Sequence, residues 1–434
     1  MEKFEKQLKK NVNETLPQNV DDRINATLQQ LSKKKRFSKV YYGIGAAIAT
    51  LFLTFGLSYL SPTFADTVKT IPVIGSVFEK VGNIGVKKAN EQGLTTLLGE
   101  QIEVNGQRIT FTESLYDGAE IHLGYIMETI RPNHAQSSHN FLHEIELMIN
   151  GRSIGGYGMG ARDEPIGDGS YVGTMSIRVT DGVPDSFMLG IRSREGSIEI
   201  PVERQGEYES YLANQTKETN DLTMFYDKIT FFPTSTEISF RKIIDEDRYQ
   251  DDTYMHMDYQ LIDNEGRVLQ PLGGGGGGGG AEKGKFVHSF QYYFEPLDSV
   301  PTTLTVKPFL YDRSEKEPEI VKKKWDGSEL VLSQGEIGQL TIVDVMNENG
   351  VATFTYRVDG EDFYQQAISI WLEDSDGNRY DTDQPPKRMN ETINQYQASF
   401  SSVPNSEEGL YICTAKMSAP KFLKELEVTI ELGK

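Results

Sequence analysis

Three histidines and a glutamate lie close together in the first third of the chain, at His134, His139, His143 and Glu144. Imidazole nitrogens and carboxylate oxygens are common zinc ligands, so this group is the first candidate for a metal site. The surrounding stretch is loop-like, however, and the spacing of the four residues is not diagnostic of a metal motif. We therefore interpret them as solvated loop side chains and assign no metal ligand.

A second group of oxygen ligands, Asp374, Asp376, Asn378 and Asp381, resembles part of a calcium-binding loop. The group lacks the glycine at loop position 6 and the bidentate glutamate at position 12 that such a loop uses. A tight Asp-Gly hairpin turn accounts for the same residues. The sequence favours that turn over a calcium site.

Cys413 is the only cysteine of the chain, so no intrachain disulfide can form. It lies in the strand-like run 410–414, which predicts a buried and unreactive thiol. Small secreted eukaryotic domains usually carry disulfides. An exported region without disulfides therefore fits the surface of a Gram-positive bacterium.

The rest of the sequence contains neither a His-Glu-x-x-His helix nor a phosphate loop that ends in Gly-Lys-Ser/Thr. The run of eight glycines at Gly273–Gly280 matches glycine motifs trivially, and its conformational entropy predicts a flexible loop between two strands. A net charge of −20 would repel the phosphates of nucleic acids. The sequence predicts no enzyme, no cofactor and no nucleic-acid partner.

The segment Val40–Leu60 predicts how the chain is placed relative to a membrane, because its 21 residues include no charged side chain. At about 1.5 Å of rise per residue, a helix of this length spans about 30 Å, the hydrocarbon core of a bilayer. The basic residues that precede it are Lys33, Lys34, Lys35, Arg36 and Lys39. The positive-inside rule therefore predicts a cytoplasmic N-terminus and an extracellular C-terminus.

Two alternatives to a membrane anchor are a cleaved signal peptide and a buried core helix. Thr63-Phe64-Ala65 resembles a signal cleavage site. Signal peptides have a short basic region and an apolar core of about 7–15 residues, whereas 39 residues precede the span of 21 here. These lengths favour an uncleaved single-pass protein of the cell membrane.

The first 39 residues carry ten basic and five acidic side chains, a net charge of +5, so the remaining chain carries −25. This tail is attracted to anionic lipid headgroups. Two short helical patterns are predicted, one at Phe4, Leu8, Val12 and Leu16 and one, after the break at Pro17, at Val20, Ile24, Leu28 and Leu31. The face predicted to bind a partner is Leu16, Val20, Ile24, Leu28 and Leu31. Helices this short need a partner for their apolar faces, so the tail either lies on the membrane surface, docks a cytosolic protein, or is disordered.

Three landmarks recur in the same order along the rest of the chain. The first is a hairpin-like alternation of apolar and polar residues at Ile109, Ile229 and Ile342. The second is a turn glycine at Gly151, Gly266 and Gly377. The third is a Val-Pro before a last strand at Pro184, Pro301 and Pro404. Relative to the first landmark, the glycines lie at +42, +37 and +35 and the prolines at +75, +72 and +62.

This repeat predicts a mainly β fold, in which a single transmembrane helix is followed by tandem immunoglobulin-like β-sandwich modules. The predicted segments are a basic helical tail at 1–39, the span at 40–60, a short broken helix or stalk at 61–95, and β-sandwich modules at 96–210, 211–330 and 331–434.

The layout resembles a known family, the membrane-bound negative effectors of extracytoplasmic-function sigma factors in Gram-positive bacteria. The resemblance rests on Ser61–Val68, on Ile71–Phe78, and on Leu16-Pro17-x-x-Val20 entering an amphipathic helix. The family has an exported domain of unknown function, to which immunoglobulin-like modules are often appended. The resemblance implies an anti-sigma factor whose tail holds a sigma factor inactive at the membrane.

Two functions from different classes follow as expectations. In the first, the chain is a transcription regulator whose tail binds a sigma factor and whose exported modules sense an envelope signal, such as a cell-wall or extracellular ligand. In the second, the chain is a surface adhesion or wall-associated scaffold protein, and the tail only sets its orientation in the membrane. An exported enzyme is a weaker third choice, because no catalytic group supports it.

Overall fold

The computed structural model describes residues 76–130, 138–167, 169–179, 182–245, 256–282, 284–311, 317–348, 350–382, 384–390, 393–401, 403 and 410–433. The tail at 1–39, the span at 40–60 and the start of the stalk lie outside these residues. In the described part, none of the helices is long and apolar enough to cross a membrane. The fold is mainly β, with several sandwich-like pairs of sheets.

Two short helices open the described chain, α1 at Val77–Val81 and α2 at Ile84–Glu91. Ser76 caps α1, because its hydroxyl accepts a hydrogen bond from the Glu79 N–H at 3.2 Å. Asn83 caps α2 in the same way, through the Val86 N–H at 2.9 Å. These caps separate the two helices, and both bury their apolar faces against the β region.

The first sandwich is formed by strands β1 to β10. Their bounds are β1 Thr96–Leu97, β2 Gln101–Val104, β3 Gln107–Tyr116, β4 Ile121–Thr129, β5 Glu146–Ile149, β6 Arg152–Ser153, β7 Tyr157–Gly167, β8 Ser170–Val179, β9 Ser186–Arg192 and β10 Ser197–Glu203. The larger sheet has the order β1-β3-β4-β8-β7, with β2 also paired to β3. The smaller sheet has the order β10-β9-β5-β6, and a 3₁₀ helix at Ser138–Glu144 precedes β5.

The second sandwich begins with strands β11 to β17. Their bounds are β11 Glu209–Glu218, β12 Thr223–Phe231, β13 Thr236–Asp245, β14 Asp258–Asp263, β15 Pro271–Glu282, β16 Lys285–Phe294 and β17 Thr303–Leu310. The larger sheet has the order β11-β12-β13-β16-β15. The smaller sheet contains β14 and β17 together with two strands from the C-terminus, β27 at Lys421–Phe422 and β28 at Val428–Glu431.

The third sandwich contains strands β18 to β26 and one helix. Their bounds are β18 Ile320–Lys324, β19 Leu330–Ser333, β20 Gly338–Glu348, β21 Val351–Gly360, α3 Phe363–Ile368, β22 Trp371–Glu373, β23 Arg379–Tyr380, β24 Lys387–Asn390, β25 Gln395–Phe400 and β26 Tyr411–Ala415. The sheets have the orders β19-β20-β21-β25-β24 and β18-β26-β22-β23. A 3₁₀ helix at Lys424–Leu426 lies between β27 and β28.

Each pair of sheets encloses its own hydrophobic core, because the inward side chains of both sheets are buried together. The sequence landmarks fall in equivalent strands or turns of the three sandwiches. The turn glycines follow β5, β14 and β22, and each has a positive φ that favours glycine: Gly151 (74°), Gly266 (83°) and Gly377 (84°). The Val-Pro landmarks precede β9, β17 and β26.

The ends of the predicted modules differ from the prediction. The last strands, β27 and β28, pair with β17 of the second sandwich, although the sequence placed all of 331–434 in one third module. Strand β18 pairs with β26 of the third sandwich, although it lies within the predicted second module at 211–330. A boundary inferred from polar stretches follows chain order, whereas strand pairing does not.

The glycine run was predicted to be a flexible loop, and that prediction is wrong. It forms most of β15, which pairs with β16 in the register Gly274↔Tyr292 and Gly276↔Phe290. A Cβ atom at Gly276 would lie 2.8 Å from a ring carbon of Phe290, so the ring occupies the space of the missing side chain. Aromatic coverage of edge glycines stabilises such a strand, and the composition of the run alone carries no sign of it.

Lys242 lies on the core side of β13 and is fully buried. Its ammonium nitrogen lies 4.3 Å from the ring centroid of Phe290 and 5.6 Å from that of Tyr259. Burial lowers the pKa of Lys242 to about 7, and the Asp258 carboxylate opposes this shift. An amine that is about half protonated near pH 7 therefore occupies an aromatic part of the second core.

Valine at position 276 tests the aromatic cover of the glycine strand. We expect Gly276→Val to lower the free energy of unfolding by about 1–3 kcal/mol, because its side chain overlaps the Phe290 ring. Gly275→Val is the matched control, since a Cβ atom there meets nothing within 4 Å. The control should be neutral or stabilising by about 0.5–1 kcal/mol. Equal effects of both variants in denaturant titrations would contradict this account.

The buried amine predicts a pH dependence of stability. The folded pKa of Lys242 is about 7 and its ordinary value is 10.5, so the unfolded state binds the extra proton between these values. Stability should fall as the pH drops from about 10 to about 7, by at most about 1.4 kcal/mol per pH unit from this group. Lys242→Met should remove that slope and the half-exposed control Lys228→Met should keep it, as measured by urea unfolding at several pH values.

Candidate functional site

The helix pair α1–α2 is the first described structure after the predicted membrane span, 16 residues beyond Leu60. Its inward side chains are fully or nearly fully buried, including Phe78 at 0%, Val81 at 1% and Ala89 at 0% exposure. The helices contact all three sandwiches, so we refer to Ser76–Glu91 with its contacts as the junction.

Glu113 of β3 attaches the junction to the first sandwich. Its carboxylate accepts hydrogen bonds from the Phe78 N–H at 2.9 Å and from the Ser76 hydroxyl at 2.9 Å. Burial raises the pKa of Glu113, and the hydrogen bonds from Phe78 and Ser76 oppose that rise. Gly124 on the neighbouring strand leaves room for this side chain, because a Cβ atom there would lie 2.7 Å from Glu113 Cγ.

A backbone contact joins the junction to the second sandwich. Gly85 of α2 lies so close to the turn between β12 and β13 that a Cβ atom would be 1.7 Å from the carbonyl oxygen of Thr234. Lys88, one turn further along α2, donates to the carbonyl oxygen of Pro296 at 3.3 Å and forms an ion pair with Asp298 at 2.7 Å. Only glycine permits this close approach of helix and turn.

The first and second sandwiches also contact each other beside α2. Asp117, which is fully buried, accepts hydrogen bonds from the Thr234 N–H at 2.9 Å and the Thr234 hydroxyl at 2.6 Å. Arg178 of β8 pairs with Glu120 at 2.6 Å and lies 4.0 Å from the ring centroid of Tyr293. The turn that receives α2 is therefore fixed by the first sandwich as well.

The third sandwich reaches the same helices from another side. The Gln384 amide donates to the carbonyl oxygen of Lys80 at 3.1 Å and also to the Glu164 carboxylate of β7. Burial lowers the pKa of Lys87, Glu164 opposes the shift, and Lys387 of the third sandwich adds to it. Side chains of the first and third sandwiches therefore meet at the end of α1.

The second and third sandwiches contact each other around α3. The Tyr311 hydroxyl donates to the Asp362 carboxylate at 2.5 Å, and Asp362 caps α3 through the Gln365 N–H at 3.1 Å. Arg388 of β24 donates to the carbonyl oxygen of Val268 at 2.9 Å. The second and third sandwiches are therefore joined to each other by polar contacts of their own.

The residues proposed from sequence for partner binding and membrane orientation lie outside the described part of the chain. They are Leu16, Val20, Ile24, Leu28, Leu31, Lys33, Lys34, Lys35, Arg36 and Lys39. His134 also lies outside it, whereas His143 and Glu144 end a 3₁₀ helix. Across the described ranges, no three side chains of His, Cys, Asp or Glu are arranged to hold a metal ion.

Two predictions from local sequence are confirmed. Asp374 forms a tight turn between β22 and β23, in which its carboxylate accepts from the N–H groups of Asp376 at 3.0 Å and Asn378 at 2.8 Å. Cys413 is fully buried in β26, and burial raises the pKa of its thiol to about 12. A thiol with this pKa is unreactive near neutral pH.

The segment Gly151–Gly155 fits the Gly-x-Ser-x-Gly pattern of hydrolase nucleophiles. That pattern requires a strained turn from a strand into a helix, with the serine at its apex. Ser153 lies instead in the two-residue strand β6, where it is exposed and its hydroxyl donates to Glu146 of β5. The surroundings of Ser153 are those of a β-hairpin rather than those of a strand that turns into a helix.

The residues of the junction gave weak signals in the sequence. Glu113 interrupts an alternating apolar run with a charge, which is a sign of a buried polar contact but does not name the partner. Gly85 lies inside a helical pattern, where glycine is unfavourable by about 1 kcal/mol. Both oddities are explained only by segments distant in sequence, the Phe78 N–H and the Thr234 carbonyl group.

Two family models match parts of the chain. Residues 33–129 match DUF4179, a domain of unknown function, and residues 208–343 match DUF5643, a family of unknown function. The first match runs from the basic residues through the junction to the end of β4. It includes Ser61–Val68 and Ile71–Phe78, two of the three stretches on which the sequence resemblance rests, but not Leu16-Pro17-x-x-Val20. The second match covers β11 to β19 and half of β20.

Solved structures similar to this chain include a conserved domain protein from Bacillus anthracis, with 16% identity and a TM-score of 0.42. The match covers 58% of this chain and 90% of that one. The I9–I11 tandem of titin matches with 7% identity and a TM-score of 0.13, over 71% of this chain and 92% of that one. No curated protein matches the chain.

Alanine at position 85 tests the junction. The Gly85→Ala methyl group cannot fit against the Thr234 carbonyl group, so α2 must move away from the second sandwich. We expect a loss of about 1–3 kcal/mol in unfolding free energy, as for other overpacked sites. Hydrogen exchange should quicken at 84–91 and 232–235. The control Gly155→Ala, which has open space around it, should match the wild type; unchanged exchange in Gly85→Ala would contradict the tight contact.

Proposed function

We propose that this chain is a single-pass membrane regulator that resembles an anti-sigma factor. Its basic tail binds a sigma factor in the cytoplasm, and its exported β-sandwiches respond to a cell-wall or extracellular ligand or another envelope signal. The proposal assigns no catalytic step, no cofactor and no nucleic-acid contact to the chain.

The observation that carries the proposal is the position of the junction. A sensor must couple its exported domain to the segment that enters the membrane. Ser76 follows the predicted span by 16 residues, and the helices that begin there contact all three sandwiches. A rearrangement of the sandwiches would therefore act on the helices nearest the membrane.

The chemistry of the junction supports a switch between discrete states. The carboxylates of Glu113 and Asp117 are buried and depend on specific hydrogen bonds, from Phe78 and from Thr234 respectively. A buried polar group that loses its partner costs about 1–3 kcal/mol. Small displacements are therefore opposed, and the contacts are either kept or lost together.

The tandem sandwiches support a sensing surface rather than an active site. In each sandwich a hairpin lies in the larger sheet, namely β3–β4, β12–β13 or β20–β21, and the chain then crosses to the smaller sheet. Antiparallel sheets connected in this way are typical of an immunoglobulin-like module. We propose that the three sandwiches are such modules. Folds of this kind bind ligands through their loops and edges, which fits a receptor for an envelope signal.

The tail supplies the proposed output. Its apolar face, from Leu16 through Ile24 to Leu31, has the spacing with which an amphipathic helix enters a groove on a partner. The basic residues Lys33 to Lys39 keep this helix next to the membrane surface. A sigma factor bound there is withheld from transcription until the tail releases it.

Aspartate at positions 24 and 28 tests the output. We expect Ile24→Asp with Leu28→Asp to abolish sigma-factor capture and raise transcription of the sigma-dependent genes, because two charges destroy the apolar face. The control Gln29→Asp with Gln30→Asp adds the same charge next to that face. If the Ile24/Leu28 variant keeps wild-type transcript levels of the sigma-dependent genes, the proposed regulatory function is wrong.

A crosslinked pull-down separates this proposal from the scaffold alternative. The full-length protein is compared with a form that lacks residues 2–30 but keeps Lys33 to Lys39, and captured proteins are identified by mass spectrometry. A sigma factor captured only by the full-length form supports the regulator. Equal capture of wall or surface proteins by both forms, with no cytosolic partner, supports a surface scaffold.

A further inference from the structure

The first sandwich shows how its smaller sheet is completed. Strand β10 pairs antiparallel with β9, on the side opposite β5. The two strands are joined by the four-residue turn 193–196, closed by a hydrogen bond from the Ser193 N–H to the Gly196 carbonyl oxygen at 2.8 Å. The strand that follows β9 in sequence therefore lies beside β9 in space.

The second and third sandwiches fill the equivalent place differently. Strand β18 follows β17 in sequence but pairs with β26 of the third sandwich, from Ile320↔Ala415 to Lys324↔Tyr411. Strands β27 and β28 follow β26 but pair with β17 of the second sandwich, as in Val306↔Val428. If both sandwiches followed the pattern of the first, β18 would pair with β17, and β27 and β28 with β26. The second and third sandwiches have instead exchanged these strands.

The two segments that lead to the exchanged strands meet at Glu319, just before β18, and at Lys416, just after β26. At this point the Lys416 N–H donates to the Glu319 carbonyl oxygen at 2.8 Å, and the two side chains form an ion pair at 2.7 Å. Both segments lack glycine and contain a proline, Pro318 or Pro420, just before the exchanged strand. Proline fixes φ and removes a donor, which disfavours a tight hairpin like 193–196.

The C-terminal strands contribute much of the second core. Leu426, Val428, Ile430 and Leu432 are at most 4% exposed, and all belong to the core of the second sandwich. The hydroxyl of Tyr226 donates to the Leu426 carbonyl oxygen at 2.6 Å in the same core. By contrast, β18 gives the third core only the half-buried Val321. The second sandwich therefore depends on the end of the chain.

We propose that β27–β28 is a latch: it closes the second sandwich, ties it to the third, and its release opens the two together. The latch is independent of the proposed regulatory function, because it rests on strand pairing alone. Pulling or cutting at the C-terminus would withdraw β28 from the second core, and Lys416 with its segment from the third sandwich.

A pair of cysteines tests where the C-terminal strand lies. The hydroxyl oxygens of Thr305 and Thr429 are 2.9 Å apart on adjacent strands, so Thr305→Cys with Thr429→Cys should form an intrachain disulfide in the full-length protein. Thr353→Cys with Ser399→Cys is the matched control within the third sandwich, where the hydroxyls are 3.3 Å apart. Failure to crosslink 305 to 429 while the control crosslinks, or a linked dimer, would overturn the latch.

Tryptophan fluorescence tests whether the two sandwiches open together. Both tryptophans of the chain lie in the third sandwich, where Trp325 packs against the core and Trp371 is buried in β22, so they report that sandwich alone. We expect Ile430→Ala, in the second core, to shift the tryptophan unfolding midpoint to lower denaturant. Val202→Ala removes an equally buried side chain from β10 of the first sandwich and should leave the midpoint unchanged.

Hydrogen exchange on the same variants completes the test. Faster exchange in β12 and β14 together with an unmoved tryptophan midpoint in Ile430→Ala would overturn the latch, since the second sandwich would then open alone. Ile430→Val provides a milder change if the alanine variant does not fold. A shift of the tryptophan midpoint by the valine variant supports the latch in the same way.

Discussion

The smaller sheets of this protein each need a further strand beside β9, β17 or β26. Without it, an unpaired edge over an apolar core would expose both backbone polar groups and core side chains. The first sandwich meets this need with the next strand in sequence, β10, whereas the second and third exchange theirs. From this constraint follow the contact between Glu319 and Lys416, the burial of Ile430 in the second core, whose other strands lie much earlier in the sequence, and the link between the last two sandwiches.

The two helices of the junction, which follow the predicted span, are likewise stabilised by contacts with segments distant in sequence. Five-residue α1 and eight-residue α2 are too short to be stable alone. They persist because Glu113 binds the first turn of α1 and because Gly85 lets α2 lie directly on the Thr234 turn. Their position therefore reports the arrangement of the sandwiches, which is the property that a transmembrane regulator requires.

The second sandwich departs most from local rules. Its edge strand is built mainly of glycine and its core holds the fully buried Lys242, and both features meet at the ring of Phe290. The ring covers Gly276 on one strand and contacts the amine on another. Residues adjacent in sequence do not stabilise the glycine run as a strand or Lys242 as a buried side chain. Both instead contact Phe290 of β16.

The sequence by itself determined the mainly β character, the three repeated landmarks, the Asp374 turn and the buried state of Cys413, because alternation and turn chemistry act over a few neighbouring residues. Only the tertiary structure decided that the glycine run is a strand, that Glu113 and Gly85 anchor the junction, and that β28 belongs to the second sandwich. Those outcomes depend on partners distant in sequence. The alternation of apolar and polar residues along a strand indicates which face is buried, but it does not indicate which strand will pair with it.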